Sequence, residues 1–187
     1  MTRPGIDHNQ LVDRIIDVYV DKGSEGATIS ELSKATGLKK ASLYYHFPGG
    51  KGEIIEIIAR KTINRLESEV FSHLASGTSL HAYLSMMMDG FEKYCDGGRK
   101  KCVLVILNSG NHPNEIRSGI IRQFNIWIDR LSKAIASTGR SKKGSDRIAS
   151  EIFANLYGSL TLSQLLDDPK IFRKTSKRLR KQFENLS

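Results

Sequence analysis

Residues 28–47, TISELSKATGLKKASLYYHF, decide the fold. Thr28 stands three residues before Glu31, the spacing of a capping box that opens a helix and ties off its first free N–H groups. Ile29, Leu32 and Ala35 share one face of the short helix that follows. Gly37 permits a tight turn, because no Cβ opposes a left-handed backbone there. Leu38 plugs that turn, and Leu43 and Phe47 hold a second helix, from about Lys40 to Phe47, against a core. Pro48 closes this helix, since the residue before a proline is pushed out of helical geometry, and Gly49-Gly50 supplies the next turn. On a helical wheel Ala41, Ser42 and Tyr45 face away from Leu43 and Phe47, with Lys40 and Tyr44 on one flank and His46 on the other. The grammar is that of a helix-turn-helix unit. Its outer surface of small, hydroxyl and basic groups is narrow enough for the major groove of DNA. Tyrosine hydroxyls and lysines also donate to phosphates. A plain helical hairpin is the alternative, but two consecutive tyrosines on a solvated helix argue for a binding role.

Helical spacing continues in both directions. Upstream, Asp7–Lys22 places Leu11, Ile15 and Val18 or Tyr19 on one face and acids on the other, until Gly23-Ser24-Glu25-Gly26 breaks the pattern. Downstream, Ile54, Ile55, Ile58, Ile63, Leu66 and Val70 predict one long helix over Lys51–Ala75, roughly 37 Å at 1.5 Å per residue. Further helices are expected over Ser79–Tyr94, Lys101–Leu107, Glu115–Ala136, Asp146–Leu166 and Pro169–Asn185, with loops at Asn108–Pro113 and Thr138–Ser145. Strand-like alternation is almost absent, so the expected fold is all-α. The expected division is a helix-turn-helix unit over residues 1–50 and a larger helical body over 51–187.

Composition narrows the function. With 187 residues, 39% hydrophobic and 26% charged, the chain has enough apolar surface for a real core, which excludes a disordered protein. Two cysteines are too few for a disulfide scaffold and suggest a reducing compartment. The longest apolar run, Cys102–Leu107, is far short of a membrane span, and the opening MTRPGIDHNQ has no apolar stretch for a secretory signal. A cytoplasmic protein without membrane contact is expected. The net charge of +9 favours a polyanionic partner. Its location is uneven. In residues 1–47 Arg3, Arg14, Lys22, Lys34, Lys39 and Lys40 are balanced by Asp7, Asp13, Asp17, Asp21, Glu25 and Glu31, although Lys34, Lys39 and Lys40 gather near the turn. The largest excess lies at the end, where Lys170, Arg173, Lys174, Lys177, Arg178, Arg180 and Lys181 meet only Glu184. A solvated helix face accounts for it; a second DNA contact or an acidic partner is the sharper alternative.

The run Thr28…Gly37-Leu38…Ser42-Leu43-Tyr44-Tyr45-His46-Phe47…Lys51 resembles the TetR family of bacterial transcriptional repressors over about residues 7–58. The FPGGK form of the turn, Phe47–Lys51, resembles the subgroup that includes the LmrA and YxaF multidrug-type regulators, and Gly50 lengthens the turn relative to the commonest pattern. The resemblance implies about nine helices, a homodimer, double-stranded operator DNA as partner and a small-molecule effector pocket in each body. It places Lys40, Ala41, Ser42 and Tyr44 at base-reading positions, and Thr28, Lys39, Tyr45, His46 and Lys51 at phosphate-clamping ones.

One wall of a pocket is expected from His81, Leu84, Met87, Met88, Phe91 and Tyr94, with Phe124, Trp127, Ile128, Phe153 and Tyr157 opposite. Methionine adapts to irregular ligands and aromatic rings give flat apolar walls; ordinary core packing leaves the same pattern. No acid is evident in this wall, which favours a neutral or weakly polar effector. Ser150, Ala154 and Gly158 form a small-residue stripe, and Phe172, Leu179, Phe183 and Leu186 recur at helical spacing on the last helix. Together they suit a four-helix dimer interface. No catalytic constellation is present: His8, His46, His73, His81 and His112 are scattered, no Cys-x-x-Cys occurs, and neither a metal nor a cofactor is implied. Cys95 and Cys102 read as structural, with a redox switch as the alternative. The sequence thus points to an effector-released, DNA-binding repressor and not an enzyme. The alternative is an architectural or scaffolding DNA-binding dimer without an effector, which a fully packed body would favour.

Overall fold

A computed structural model describes residues 7–72 and 79–184. His73, Ala75, Asn185 and Leu186, named above, lie outside the described residues. Among those described there are nine α-helices and no strand: α1 His8–Gly26, α2 Ile29–Thr36, α3 Lys40–His46, α4 Gly50–Leu66, α5 Leu80–Tyr94, α6 Val103–Ser109, α7 Asn114–Ala136, α8 Lys142–Leu165 and α9 Lys170–Phe183. No helix of the described residues is long and apolar enough to cross a membrane.

Capping chemistry sets most boundaries. Asp7 accepts hydrogen bonds from the backbone N–H groups of Asn9 and Gln10 and starts α1. Ser79 and Ser141 do the same for α5 and α8 through Ala82 and Gly144. Side-chain caps of this kind satisfy N–H groups that have no partner within the helix. The Ser141 cap starts α8 four residues before the expected Asp146 and turns part of the basic loop into helix. Gly23 bends α1 instead of ending it, with φ 71° and ψ −179°. α4 starts at Gly50, where Glu53 accepts from the N–H of Gly49 at 2.8 Å.

The chain divides into two compact units. The first comprises residues 1–63 and 102–120, so it reaches past residue 50 and takes in α6. The reason is burial: Ile54, Ile55 and Ile58 of α4 and Val103, Leu104 and Leu107 of α6 are all in the core, and α6 packs on α1. Leu11, Val12, Ile15 and Tyr19 of α1 complete the core with Leu32, Leu43 and Phe47. Lys61 of α4 is tied to α1 through Asp13 at 2.8 Å and the carbonyl of Asn9 at 2.9 Å.

The second unit comprises residues 64–101 and 121–187. Here the long helix predicted over Lys51–Ala75 changes character. After Leu66 it passes into a π-helical segment, Glu67–Phe71. That segment packs on α5, and the contact depends on a missing side chain. A Cβ at Gly90 would lie 2.1 Å from the carbonyl oxygen of Glu69 and 3.2 Å from Cα of Val70. Backbone thus meets backbone at Gly90, and neither side can yield by rotating a side chain. Around this contact Val70, Phe71, Tyr83, Leu84, Met87, Phe91, Trp127, Phe153 and Phe172 are buried.

A Gly90→Ala substitution is expected to force the π segment and α5 apart and to destabilise the protein by about 1–3 kcal/mol, the usual range for overpacking. Denaturant midpoints measure it, with Gly119→Ala as control, because a Cβ at Gly119 meets nothing within 4 Å. Equal midpoints for Gly90→Ala and the parent would refute the close contact.

Candidate nucleic-acid interface

Thr28 caps α2 by accepting from the N–H of Glu31 at 3.2 Å. The reciprocal half of the expected capping box does not form. The N–H of Thr28 bonds the carbonyl of Gly26, and Glu31 turns to Lys34 at 2.7 Å. The next turn is bonded from several sides. Gly37 takes the left-handed conformation (φ 73°, ψ 6°), and its N–H donates to the carbonyl of Ser33. Ser33 Oγ donates to the carbonyl of Leu38 at 2.6 Å, and Thr36 Oγ1 donates to the carbonyl of Leu32 at 2.7 Å. Thr36 is therefore the buried residue at the end of α2, and Ala35, expected on the apolar face, is exposed.

This turn delivers α3 with Leu43 buried in it and Phe47 buried at its end. Their four-residue spacing fixes the opposite face. Lys39, Lys40 and Ala41 are exposed, Ser42 and His46 are half-buried, and Tyr44 and Tyr45 are 50% and 84% exposed. Tyr45 meets the His46 ring edge-on at 5.8 Å. Eight of the nine residues assigned to DNA contact thus lie in the helix-turn-helix segment, at Thr28 and from Lys39 to His46. Seven helical residues span about 10 Å, a length that fits a groove about 12 Å wide.

Lys51, the ninth, lies outside that segment, on α4. Its ammonium is directed at the carbonyl of Ser24, 2.9 Å away near the end of α1. The longer Gly49-Gly50 turn brings Lys51 onto α4, where that carbonyl is in reach.

In the second unit Leu84, Met87, Met88, Phe91, Trp127 and Phe153 are buried, and Phe124, Ile128 and Tyr157 are half-buried. His81 does not belong with them. It stands on the solvent side of α5 and is exposed. The two expected walls touch directly where Phe91 meets Tyr157 at 5.1 Å, and within the second wall Tyr157 meets Phe124 at 5.0 Å. Phe71, which sequence spacing alone did not single out, stacks on Trp127 at 4.3 Å and on Phe153 at 5.6 Å.

Sequence reasoning also missed a polar cluster beside these rings. Glu67 Oε2 accepts from Trp127 Nε1 at 2.8 Å, and Glu67 Oε1 accepts from Arg130 at 2.5 Å. Burial pushes the Glu67 carboxyl up, but the hydrogen bonds from Arg130 and Trp127 and the Arg130 charge outweigh it and hold the carboxyl below its ordinary range. Tyr83 is fully buried close to this pair, its hydroxyl has no hydrogen-bond partner among the described residues, and burial raises its pKa to about 12. The signal was faint because Glu67 and Arg130 are far apart in sequence and each reads as a surface charge.

Ser150, Ala154 and Gly158 are exposed on α8, and a Cβ at Gly158 meets nothing within 4 Å. The stripe runs on into Leu162, Leu165 and Leu166, which are 47%, 76% and 62% exposed. Phe172, Leu179 and Phe183 of α9 were assigned to the same interface, but they are buried within the chain. α9 packs on α5 and α8, Phe91 meets Phe172 at 6.0 Å, and these side chains leave nothing for a partner to cover. Cys95 and Cys102 are both buried. Among the described residues no three His, Cys, Asp or Glu side chains gather in a way that could hold a metal ion.

Residues 11–57 match the family model for bacterial regulatory proteins of the tetR family. The biofilm operon icaADBC HTH-type negative transcriptional regulator IcaR of Staphylococcus aureus (strain Newman) is 28% identical over 149 residues, 79% of this chain and 76% of the relative. Among solved structures, regulatory protein TetR from Rhodobacter sphaeroides aligns with a TM-score of 0.75 at 17% identity, covering 93% of this chain and 97% of that one. A TetR variant from Acinetobacter baumannii AYE in complex with minocycline aligns with a TM-score of 0.57 at 12% identity, covering 97% and 94%. Residues 11–57 thus carry the helix-turn-helix of the bacterial regulatory proteins of the tetR family, on a chain whose helices are arranged in a TetR-like fold.

Proposed function

We propose that the chain is a homodimeric repressor that binds a near-palindromic operator and is released from it by a small molecule. The observation that carries the DNA-binding part is the outward face of α3, where Tyr44 and Tyr45 stand in solvent while Leu43 and Phe47 anchor the helix from behind. Lys40, Ala41, Ser42 and Tyr44 are the proposed base readers, and Thr28, Lys39, Tyr45 and His46 the proposed phosphate clamps. Repression is supported by the negative regulator IcaR, the relative described above. The Phe47–Lys51 turn supports a place beside the LmrA and YxaF multidrug-type regulators.

Residues 1–50 are the proposed DNA-binding domain and 51–187 the proposed effector and dimerisation domain, with part of the latter packed into the first unit. The exposed stripe Ser150–Ala154–Gly158, extended by Leu162 and Leu165, supports a dimer seam, because small residues allow close helix approach and flanking leucines bury apolar area. The methionines and rings around Phe91, Trp127 and Tyr157 support an effector site that opens by repacking, with the Glu67–Trp127–Arg130 cluster as its polar end. The Acinetobacter protein in complex with minocycline, which shares the fold, supports a small-molecule site in the body. Release needs only that the effector binds more tightly to a form of the dimer that no longer matches the operator.

Lys40→Ala and Tyr44→Ala are expected to weaken binding to a selected operator by about 1–3 kcal/mol more than binding to scrambled DNA. Equal losses on both would make these residues backbone contacts. Lys39→Ala should lower the slope of log affinity against log salt by about 0.9, the share of one phosphate contact, whereas Lys51→Ala should leave that slope unchanged. A fall with Lys51→Ala would return that lysine to the clamp.

Gly158→Glu should yield a folded monomer. The new side chain has room within the chain, so helical circular dichroism should persist, but an unpaired carboxylate is costly to bury in an apolar seam. Sedimentation and an operator titration read both consequences. A variant that stays dimeric and still binds DNA would place the interface elsewhere.

A further inference from the structure

The joint between the α6–α7 loop and the end of α1 holds a hydrogen-bonded group that the DNA-contact residues do not use. His112, half-buried in the loop, places Nε2 2.5 Å from Ser24 Oγ. Ser24 is buried, and its carbonyl receives the Lys51 ammonium at 2.9 Å. Gly110 closes the joint so tightly that a Cβ there would lie 2.4 Å from both His112 Nε2 and Ser24 Oγ. Ser24 directly follows Gly23, the bend in α1. The segment that ends α1 and leads to Thr28 is therefore held at one residue from two directions, by α4 and by the α6–α7 loop.

We propose that His112 is a positioning residue for the DNA-binding head: its neutral ring latches Ser24, and its protonation loosens the latch and weakens DNA binding. The proposal rests on the DNA-binding reading above. In the latched form Nδ1 carries the ring proton, held by the backbone of Asn111, and Nε2 accepts from the Ser24 hydroxyl. Protonation puts a hydrogen on Nε2, so Ser24 Oγ turns from donor to acceptor and the bond reverses without breaking. What loosens the joint is charge: protonation makes an imidazolium and the Lys51 ammonium converge on one residue, Ser24, in a half-buried site. The charged groups acting on the ring are Lys51 on α4, which opposes protonation, and Glu25 on α1, which favours it. Burial, then Lys51, hold the ring below its ordinary pKa. A group with a lowered folded pKa stabilises the latched form above the ordinary value, about 6.5, and loses that contribution as pH falls below it.

The test uses the full chain and a duplex that the parent protein selects from a randomised pool at neutral pH. Parent affinity should fall as pH drops below about 6.5, by at most about tenfold per pH unit for one proton. His112→Gln keeps an acceptor for Ser24 but cannot titrate, so it should bind within about threefold of the parent at neutral pH and lose most of the acid dependence. The two proteins differ at this one side chain alone, so the comparison isolates it. Gly110→Ala, which wedges the joint without touching a titratable group, should bind weakly at neutral pH and vary little with acid. By NMR, the His112 ring should titrate below its ordinary value in the parent and return toward about 6.5 in Gly110→Ala. An unchanged acid loss in His112→Gln, parent-like binding by Gly110→Ala, or a His112 titration unmoved by Gly110→Ala would overturn the latch. If the parent selects no duplex, the DNA-binding reading fails, and the ring titration alone decides the latch.

Discussion

What the head presents to a partner depends on the seating of Leu43 and Phe47. A helix of seven residues has little stability of its own in water, so α3 owes its order to the apolar side chains that fix it. Burying each is worth about 1.5–3 kcal/mol, and the two are a helical turn apart, so they fix both the axis and the rotation of α3. Once they are seated, the exposure of Tyr44 and Tyr45 follows without any further interaction. The turn before α3 contributes by satisfying its own polar groups: Ser33, Thr36 and Gly37 leave few backbone groups in search of water. A head built this way presents its exposed side chains from a rigid element, which is what the base reading proposed for them requires.

Local chemistry was legible in the sequence wherever one residue decided the outcome. Gly37 ended α2, Pro48 ended α3, and the apolar spacing of α1, α5 and α7 gave their buried faces. Less legible were choices made between distant segments. Lys51 is placed at a phosphate-clamping position by the resemblance, and only the fold shows the Ser24 carbonyl 2.9 Å from its ammonium. Phe172, Leu179 and Phe183 have the spacing of an interface, yet α5 and α8 of the same chain cover them. Periodicity identifies a face that must be buried and is silent on what buries it. The π segment was hidden for a related reason: Glu67–Phe71 has ordinary helical composition, and the departure is accommodated at Gly90, on another helix.

Charge is distributed against simple expectation. The head is balanced, so the overall excess of +9 lies in the rest of the chain. Part of it is already engaged: Arg180 pairs with Asp89 and Glu92, Arg130 with Glu67, and Arg178 donates to Asn155. Long-range attraction to a polyanion is a property of the whole molecule, screened within about 10 Å at moderate salt. In the proposed DNA-binding reading, the close contacts fall to Lys39, Lys40 and the tyrosine hydroxyls. A neutral head with few cations would rely less on counterion release, and more on hydrogen bonds, than a basic one.

The second unit differs in kind from the head. Its rings and methionines pack in contact. The buried hydroxyl of Tyr83 has no hydrogen-bond partner among the described residues, beside a carboxylate whose nearest bonds go to Trp127 and Arg130. A buried hydroxyl left unbonded costs about 1–3 kcal/mol. A molecule that offered that hydroxyl an acceptor would recover the cost on binding, and the recovery depends on where its polar atom sits. Apolar rings reward any flat ligand of suitable size and so discriminate little. Selectivity for one effector over another of similar shape would then come from the Tyr83 hydroxyl and the Glu67–Arg130 pair, while the surrounding rings supply most of the affinity.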